Sequence, residues 1–177
     1  MDAHSEAADD MKASEVPVDF EAVFRAEYVR IAGVITRVVR DPARAEELAV
    51  EVFLKLWRTP QAQGEKAGGW LYRAAVRRGL DELRHRTRRS RYERLVEYVR
   101  PRNPEEIRAG TEEQERVRLV LAVIPSRQAE LLLLHSHGFS YEELGCALDL
   151  NSASIGTLLN RAQQIFRKEY VKRYGKQ

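Results

Sequence analysis

The stretch SYEELGCALDLNSASIGTLLNRAQQIFRKEY, residues 140–170, decides the reading of the fold. Ser140 with Glu143 three residues later is a capping-box pattern, and it opens a short helix carrying Leu144 and Leu148. Asp149 and Leu150 make a tight turn, after which a longer helix begins near Ser152 with Ile155, Leu158, Leu159 and Ala162 on its inward face. Such a pair is a helix-turn-helix. Gly145 falls where the two helices must approach closely, and Asp149 is a residue that tolerates the left-handed conformation a tight turn demands. Ser152, Ala153, Gly156, Thr157, Asn160 and Arg161 are left for a DNA major groove. Lys168, Lys172 and Arg173 further along can neutralise phosphates, although a basic helix end also complements the helix dipole. Two amphipathic helices that merely complete a bundle fit the same spacing.

Upstream of this stretch the apolar spacing is helical almost throughout, and no period-two run is long enough for a strand, so the fold class is all-α. A first helix is expected after a cap at Asp19, with Phe20, Val23, Phe24, Ile31, Ile35 and Val38 on one face, ending near Asp41. Pro42 suits the first turn of a second helix that runs to about Trp57. Residues 61–69 are expected to be a loop, and a third helix starts close to Trp70 and carries Leu71, Ala74, Ala75, Leu80 and Leu83 past the helix-weakening Gly79. PRNPEEIRAG, residues 101–110, breaks the pattern as a linker does. Beyond it, Val117 to Val123 reads as a helix, and Ser126 as the cap of another that carries Leu131 to Leu134 and is closed by Gly138. The expected organisation is an acidic, disordered arm at 1–17, a helical domain at 18–97, a linker at 98–111 and a second helical domain at 112–177.

The 177-residue chain has a net charge of only +3, but the charge is unevenly placed. Residues 71–94 hold nine arginines against three carboxylates, and residues 161–176 hold six cations against Glu169. Arginine's planar fork suits phosphate and base stacking, which makes nucleic acid the leading partner. Between the two basic blocks, residues 103–115 hold five glutamates against Arg108. The longest apolar run, Leu119 to Ile124, is far too short for a membrane span. The N-terminus lacks the pattern of a secretory signal, and the single cysteine excludes an internal disulfide framework, so the expected compartment is the cytoplasm without membrane insertion.

ELAVEVFLKLWR (47–58), GWLYRAAVRRGLDELR (69–84) and the helix-turn-helix ending in Asn160-Arg161-Ala162, in this order and spacing, resemble the two-domain bacterial sigma factors of the extracytoplasmic-function group of the sigma-70 family. The resemblance spans about residues 20–173. It implies a non-enzymatic subunit that binds core RNA polymerase, recognises the −10 element through its first domain and the −35 element through its second, and initiates transcription at specific promoters. It implies polymerase contacts at the coiled coil of the largest subunit and at the flap region, promoter DNA as ligand, an anti-sigma factor as a further partner, and no cofactor. On the helix that includes residues 46–58 the stripe Ala45, Leu48, Ala49, Val52, Phe53 and Leu56 would fill the core, while Val50, Leu54 and Trp57, flanked by Glu47 and Glu51, would meet polymerase. The loop at 61–69 and the helix after it would capture unstacked bases of one strand, with Arg73, Arg77, Arg84 and Arg88 as the downstream DNA candidates. Arg77 stands where such proteins often carry asparagine. In the second domain Ser154-Ile155 replaces the common Thr-Val pair, which adds Ser154 to the upstream candidates, and Gly156-Thr157 replaces Lys-Ser and so removes a phosphate contact.

Two other classes fit parts of the sequence: a stand-alone helix-turn-helix regulator, which would need a dimer to span two half-sites, and a helical adaptor that binds only proteins. Trp70 and Cys146 are expected to be core residues. His135 and His137 lie close to Cys146 in sequence, but they do not amount to the four ligands of a structural zinc site, and no metal is expected. No nucleophile elbow, metalloprotease helix or phosphate loop is present.

Overall fold

The computed structural model describes residues 20–64, 67–96 and 112–175, with the side chains of 91–96 left aside. The expected arm at 1–17, the expected cap of the first helix at Asp19 and the linker at 98–111 lie outside the described residues. Every regular element among the described residues is helical: α1 (Phe20–Val39), α2 (Pro42–Trp57), a single 3-10 turn (Pro60–Ala62), α3 (Ala67–Val96), α4 (Glu112–Val123), α5 (Ser126–Ser136), α6 (Tyr141–Leu148) and α7 (Ser152–Tyr174).

α1, α2 and α3 pack on one another as a first group. The turn between α1 and α2 is made by Arg40, whose φ of 57° is left-handed, and by Asp41, whose side chain accepts the Arg44 N–H as the N-cap of α2. Gly79 has a role beyond weakening α3. A Cβ there would stand 3.3 Å from Val38 Cβ, so its absence brings α3 close to α1. The core stripe of α2 is buried throughout, and Ile31, Ile35 and Val38 of α1 are buried with it. The 3-10 turn and the start of α3 at Ala67 shorten the loop expected at 61–69. α3 therefore begins three residues ahead of Trp70, which is partly buried against the core as expected.

α4 to α7 form the second group, with α7 packed against α4, α5 and α6. α4 starts at Glu112 rather than near Val117, its first turn filled by Glu112, Glu113 and Glu115, the charge a helix start favours. Ser126 is not a cap. Pro125 takes the N-cap position, and the Ser126 Oγ instead accepts a hydrogen bond from Arg84 at 2.8 Å. Gly138, at φ +87°, ends α5 as expected.

The two groups also touch. α3 packs against α4, α5 and α6 as well as against α1 and α2, and the buried apolar side chains form one contiguous cluster from Ile31 to Ala162. Arginines stitch the seam. Arg118 of α4 donates to Val38 O at 2.8 Å and Val39 O at 3.1 Å, satisfying carbonyls that α1 leaves open at its C-terminus. Arg84 of α3 does the same for α4, donating to Ala122 O at 3.1 Å and Ile124 O at 3.2 Å.

Candidate nucleic-acid and polymerase interfaces

The helix-turn-helix forms as the sequence requires. Ser140 Oγ accepts the Glu143 N–H at 3.2 Å while the Glu143 carboxylate accepts the Ser140 N–H at 2.7 Å, closing the capping box of α6. Asp149 adopts the left-handed conformation, φ 55° and ψ 56°, and Leu150 N donates to Gly145 O at 2.8 Å. A Cβ on Gly145 would meet Leu150 O at 2.9 Å and Ser152 N at 3.3 Å, both backbone atoms, so only glycine fits without moving the turn. Asn151 caps α7, its side chain accepting the Ala153 N–H at 3.0 Å. Ile155, Leu159 and Ala162 are buried and Leu158 partly so.

Seven of the eight upstream candidates, Ser152, Ala153, Ser154, Thr157, Asn160, Arg161 and Lys168, are exposed along one side of α7. Gly156 differs: it is half-buried, and a Cβ there would lie 3.5 Å from the Tyr141 ring. It gives room to Tyr141, an exposed aromatic at the start of α6 that the sequence did not single out.

The downstream candidates are placed differently. At helical spacing Arg73, Arg77, Arg84 and Arg88 share one side of α3. Arg77 Nε donates to Glu130 Oε1 of α5 at 2.9 Å, and Arg84 is held by the carbonyls at the α4–α5 junction. Arg73 is half-buried and lines a cleft of about 390 Å³ with Trp70, Phe139, Cys146 and Ala147, between the start of α3 and α6. Arg88 is exposed. Arg44, Arg78 and Arg86 surround the nearly buried Glu82 at 3.1, 3.5 and 3.1 Å. The hydrogen bond from Arg44, with help from Arg86, holds the Glu82 carboxyl below its ordinary value despite the opposing effect of burial. Part of the arginine block is therefore structural.

α2 shows both stripes. Opposite its buried side, Val50, Leu54 and Trp57 are 42%, 47% and 62% exposed, with Phe20 edge-on to Trp57 at 5.0 Å. Of the flanking glutamates, Glu47 pairs with Arg44 at 2.6 Å and Glu51 with Arg78 at 2.7 Å. The second group carries an apolar groove of about 280 Å³ between α4, α5 and α7, lined by Val117, Leu121, Leu132, Leu133 and Phe166.

Cys146 is exposed on α6, not a core residue, because it falls on the side of that short helix away from Leu144 and Leu148. The His137 ring nitrogen Nδ1 lies 2.6 Å from Leu133 O, and no metal-binding group of His, Cys, Asp and Glu occurs among the described residues. No helix among them is long and apolar enough to cross a membrane. Sequence reasoning missed Glu130, Tyr141, Phe139 and Arg118. A lone acid inside the apolar run Ala129-Glu130-Leu131 was a visible signal for the first of these, since a buried carboxylate needs a cation.

Comparison with known proteins agrees with this geometry. The family model for sigma-70 region 2 matches residues 23–89, which hold α2 and most of α1 and α3. Over 153 residues the chain is 29% identical to the ECF RNA polymerase sigma factor SigK of Mycobacterium sp. (strain KMS), covering 81% of this chain and 79% of that one. Over 160 residues it is 28% identical to the ECF RNA polymerase sigma factor SigE of Mycolicibacterium smegmatis, covering 86% of this chain and 62% of that one. Among solved structures, the sigma factor RpoE from Bartonella quintana, crystallised with the anti-sigma factor NepR, shares the fold with a TM-score of 0.51 at 17% identity, over 85% of this chain and 96% of that one.

Proposed function

The chain is a sigma factor of the extracytoplasmic-function group of the sigma-70 family, and we propose how its surfaces divide the work of directing core RNA polymerase to promoters. α2 docks on the polymerase through Val50, Leu54 and Trp57, with Glu47 and Glu51 at the rim, against the coiled coil of the largest subunit. One observation carries this assignment: a single helix buries one apolar stripe completely and leaves a second facing solvent, an arrangement that a helix serving only its own core does not need. The apolar groove of the second group accepts the flap region, as a helix seats in a groove.

α7 enters the major groove of the −35 element with Thr157, Asn160 and Arg161 nearest the bases, while Ser152, Ala153 and Ser154 allow close approach and Lys168 meets phosphate. Gly156 acts indirectly, by seating Tyr141 beside that surface. α3 binds the −10 element as a single strand through Arg73, Arg77, Arg84 and Arg88, cations that stack on bases or pair with phosphate. Polymerase supplies the catalysis, and the chain supplies position. An anti-sigma factor that covers α2 or α7 would silence it.

The test is reconstitution. Transcript starts mapped after overexpression define a promoter, and purified protein with core polymerase should transcribe from it, whereas either alone should not. No stable complex with core polymerase in gel filtration would overturn the assignment. Tight palindromic duplex binding by the free protein would favour a stand-alone regulator instead.

A further inference from the structure

The outer side of α7 has a gap in it. Ser152, Ala153, Ser154 and Thr157 carry short side chains, Asn160 and Arg161 come further along, and Gly156, in the middle of that row, carries none. The gap is filled from another helix. A Cβ on Gly156 would lie 3.5 Å from Tyr141 Cε2 and 3.8 Å from its Oη, so it is the polar tip of the ring that stands against position 156. We propose that Tyr141 is a specificity-determining residue for the upstream element, reading a base edge in the major groove from the place where α7 has no side chain of its own. The proposal rests on the role given to α7 above.

Placement favours a base over a phosphate. Residues three or four positions apart share one side of a helix, so Ser152, Ala153 and Asn160 flank Gly156, and all three are exposed. A residue at the start of α6 that pointed along its own helix would meet the DNA backbone, which the first helix of such a pair crosses. Leaning onto α7 instead brings the Tyr141 tip among the side chains that face the bases. Its aim is fixed by the backbone, because Tyr141 directly follows the Ser140 cap, while Gly145 and the left-handed Asp149 set the angle between α6 and α7. A side chain already held in place loses little freedom on binding. Tyr141 nonetheless stays 46% exposed, and its hydroxyl has no hydrogen-bond partner among the described residues. A phenol brings two things to a base pair: the hydroxyl donates to an N7, O6 or O4 acceptor, and the ring edge packs on a thymine methyl. Serine, alanine and glycine at the front of α7 lack that reach.

Tyr141→Phe is the direct test, because it keeps the ring against Gly156 and removes only the hydroxyl. Holoenzyme assembled from the full chain and core polymerase is measured on the mapped promoter and on versions with each base pair of the upstream element changed in turn. Tyr141→Phe should lower discrimination about fivefold, the worth of one hydrogen bond, at the base pair under the ring and leave the other positions as they were. Gly156→Leu, which takes the space of the ring, should lose discrimination at that same base pair, and the double variant should lose no more than either alone. Unchanged discrimination in Tyr141→Phe overturns the proposal. So does an equal loss on every sequence with a shallower salt dependence, the mark of a phosphate contact. Additive losses in the double variant would overturn the link between the ring and position 156. Asn160→Ala separates this proposal from the role of α7 itself: if it alters upstream preference while Tyr141→Phe does not, only the part given to Tyr141 falls, and if neither does, the role of α7 falls with it.

Discussion

α7 and α3 are the two basic helices of the molecule, and they meet solvent in opposite ways. α7 keeps its polar side free because the turn at Gly145 to Asn151 turns Ile155, Leu159 and Ala162 inward and leaves Thr157, Asn160 and Arg161 outside. α3 is richer in arginine, but several of those side chains are committed: Arg78 and Arg86 to Glu82, Arg77 to Glu130, and Arg84 to backbone carbonyls. Charge density along a sequence thus measures how many cations are present, not how many are free. The helix with fewer cations presents the more open polar surface.

The sharpest way to break the comparison is to remove one side of it. Gly145→Val places a side chain against the Leu150 carbonyl and should cost about 3 kcal/mol, in the range of severe steric substitutions. Loss of upstream duplex binding with α1–α3 still folded, followed by circular dichroism and DNA footprinting, is the expected outcome. Leu54→Glu should leave both basic helices untouched and remove polymerase instead, with gel filtration showing complex formation weakened about 100-fold, or roughly 2.7 kcal/mol. Unchanged co-purification with core polymerase would refute docking through α2.

Asn160→Ala and Thr157→Ala sharpen the contrast, since each should cost about 1–2 kcal/mol in upstream recognition without altering polymerase binding. Equal transcription from all upstream sequences, before and after substitution, would show that α7 does not read them. On the α3 side, Glu82→Gln should destabilise the first group by roughly 1–2 kcal/mol at neutral pH, by taking a charged acceptor from Arg44 and Arg86. The sign follows from a depressed folded pKa. The contribution is fully present above the ordinary glutamate value and is lost as pH falls through the lower folded value, so thermal melts of wild type and variant should converge in acid. Asp149→Gly should have the smallest effect, within about 0.5 kcal/mol, because relief of a left-handed aspartate offsets the looser unfolded chain.

How much of this was legible follows from the range of the forces involved. The frame of the helix-turn-helix was readable because capping, turn conformation and apolar spacing are local: Ser140, Gly145, Asp149 and Ile155 each do what the neighbouring sequence implies, whereas Cys146 and Gly156 fall on other sides of their helices than expected. The two stripes of α2 were equally plain. Contacts between residues far apart in the chain were not. Arg77 and Glu130 are separated by 53 residues, and Arg84 and Ser126 by 42, and nothing in either segment names the other. Two separate cores were the natural expectation from a linker-like composition, whereas the structure joins them through α3. Ser126 shows the same limit on a small scale: it has the composition of a cap, and a distant arginine gives its hydroxyl different work.

Arg118 carries a practical lesson for anyone dividing the chain. The guanidinium that finishes α1 is donated by α4, so a fragment trimmed between α3 and α4 would lose the donor that the Val38 and Val39 carbonyls share and would fray at the C-terminal end of its first helix. Fragments designed along the boundaries of the covalent chain would then understate what each half achieves in the company of the other.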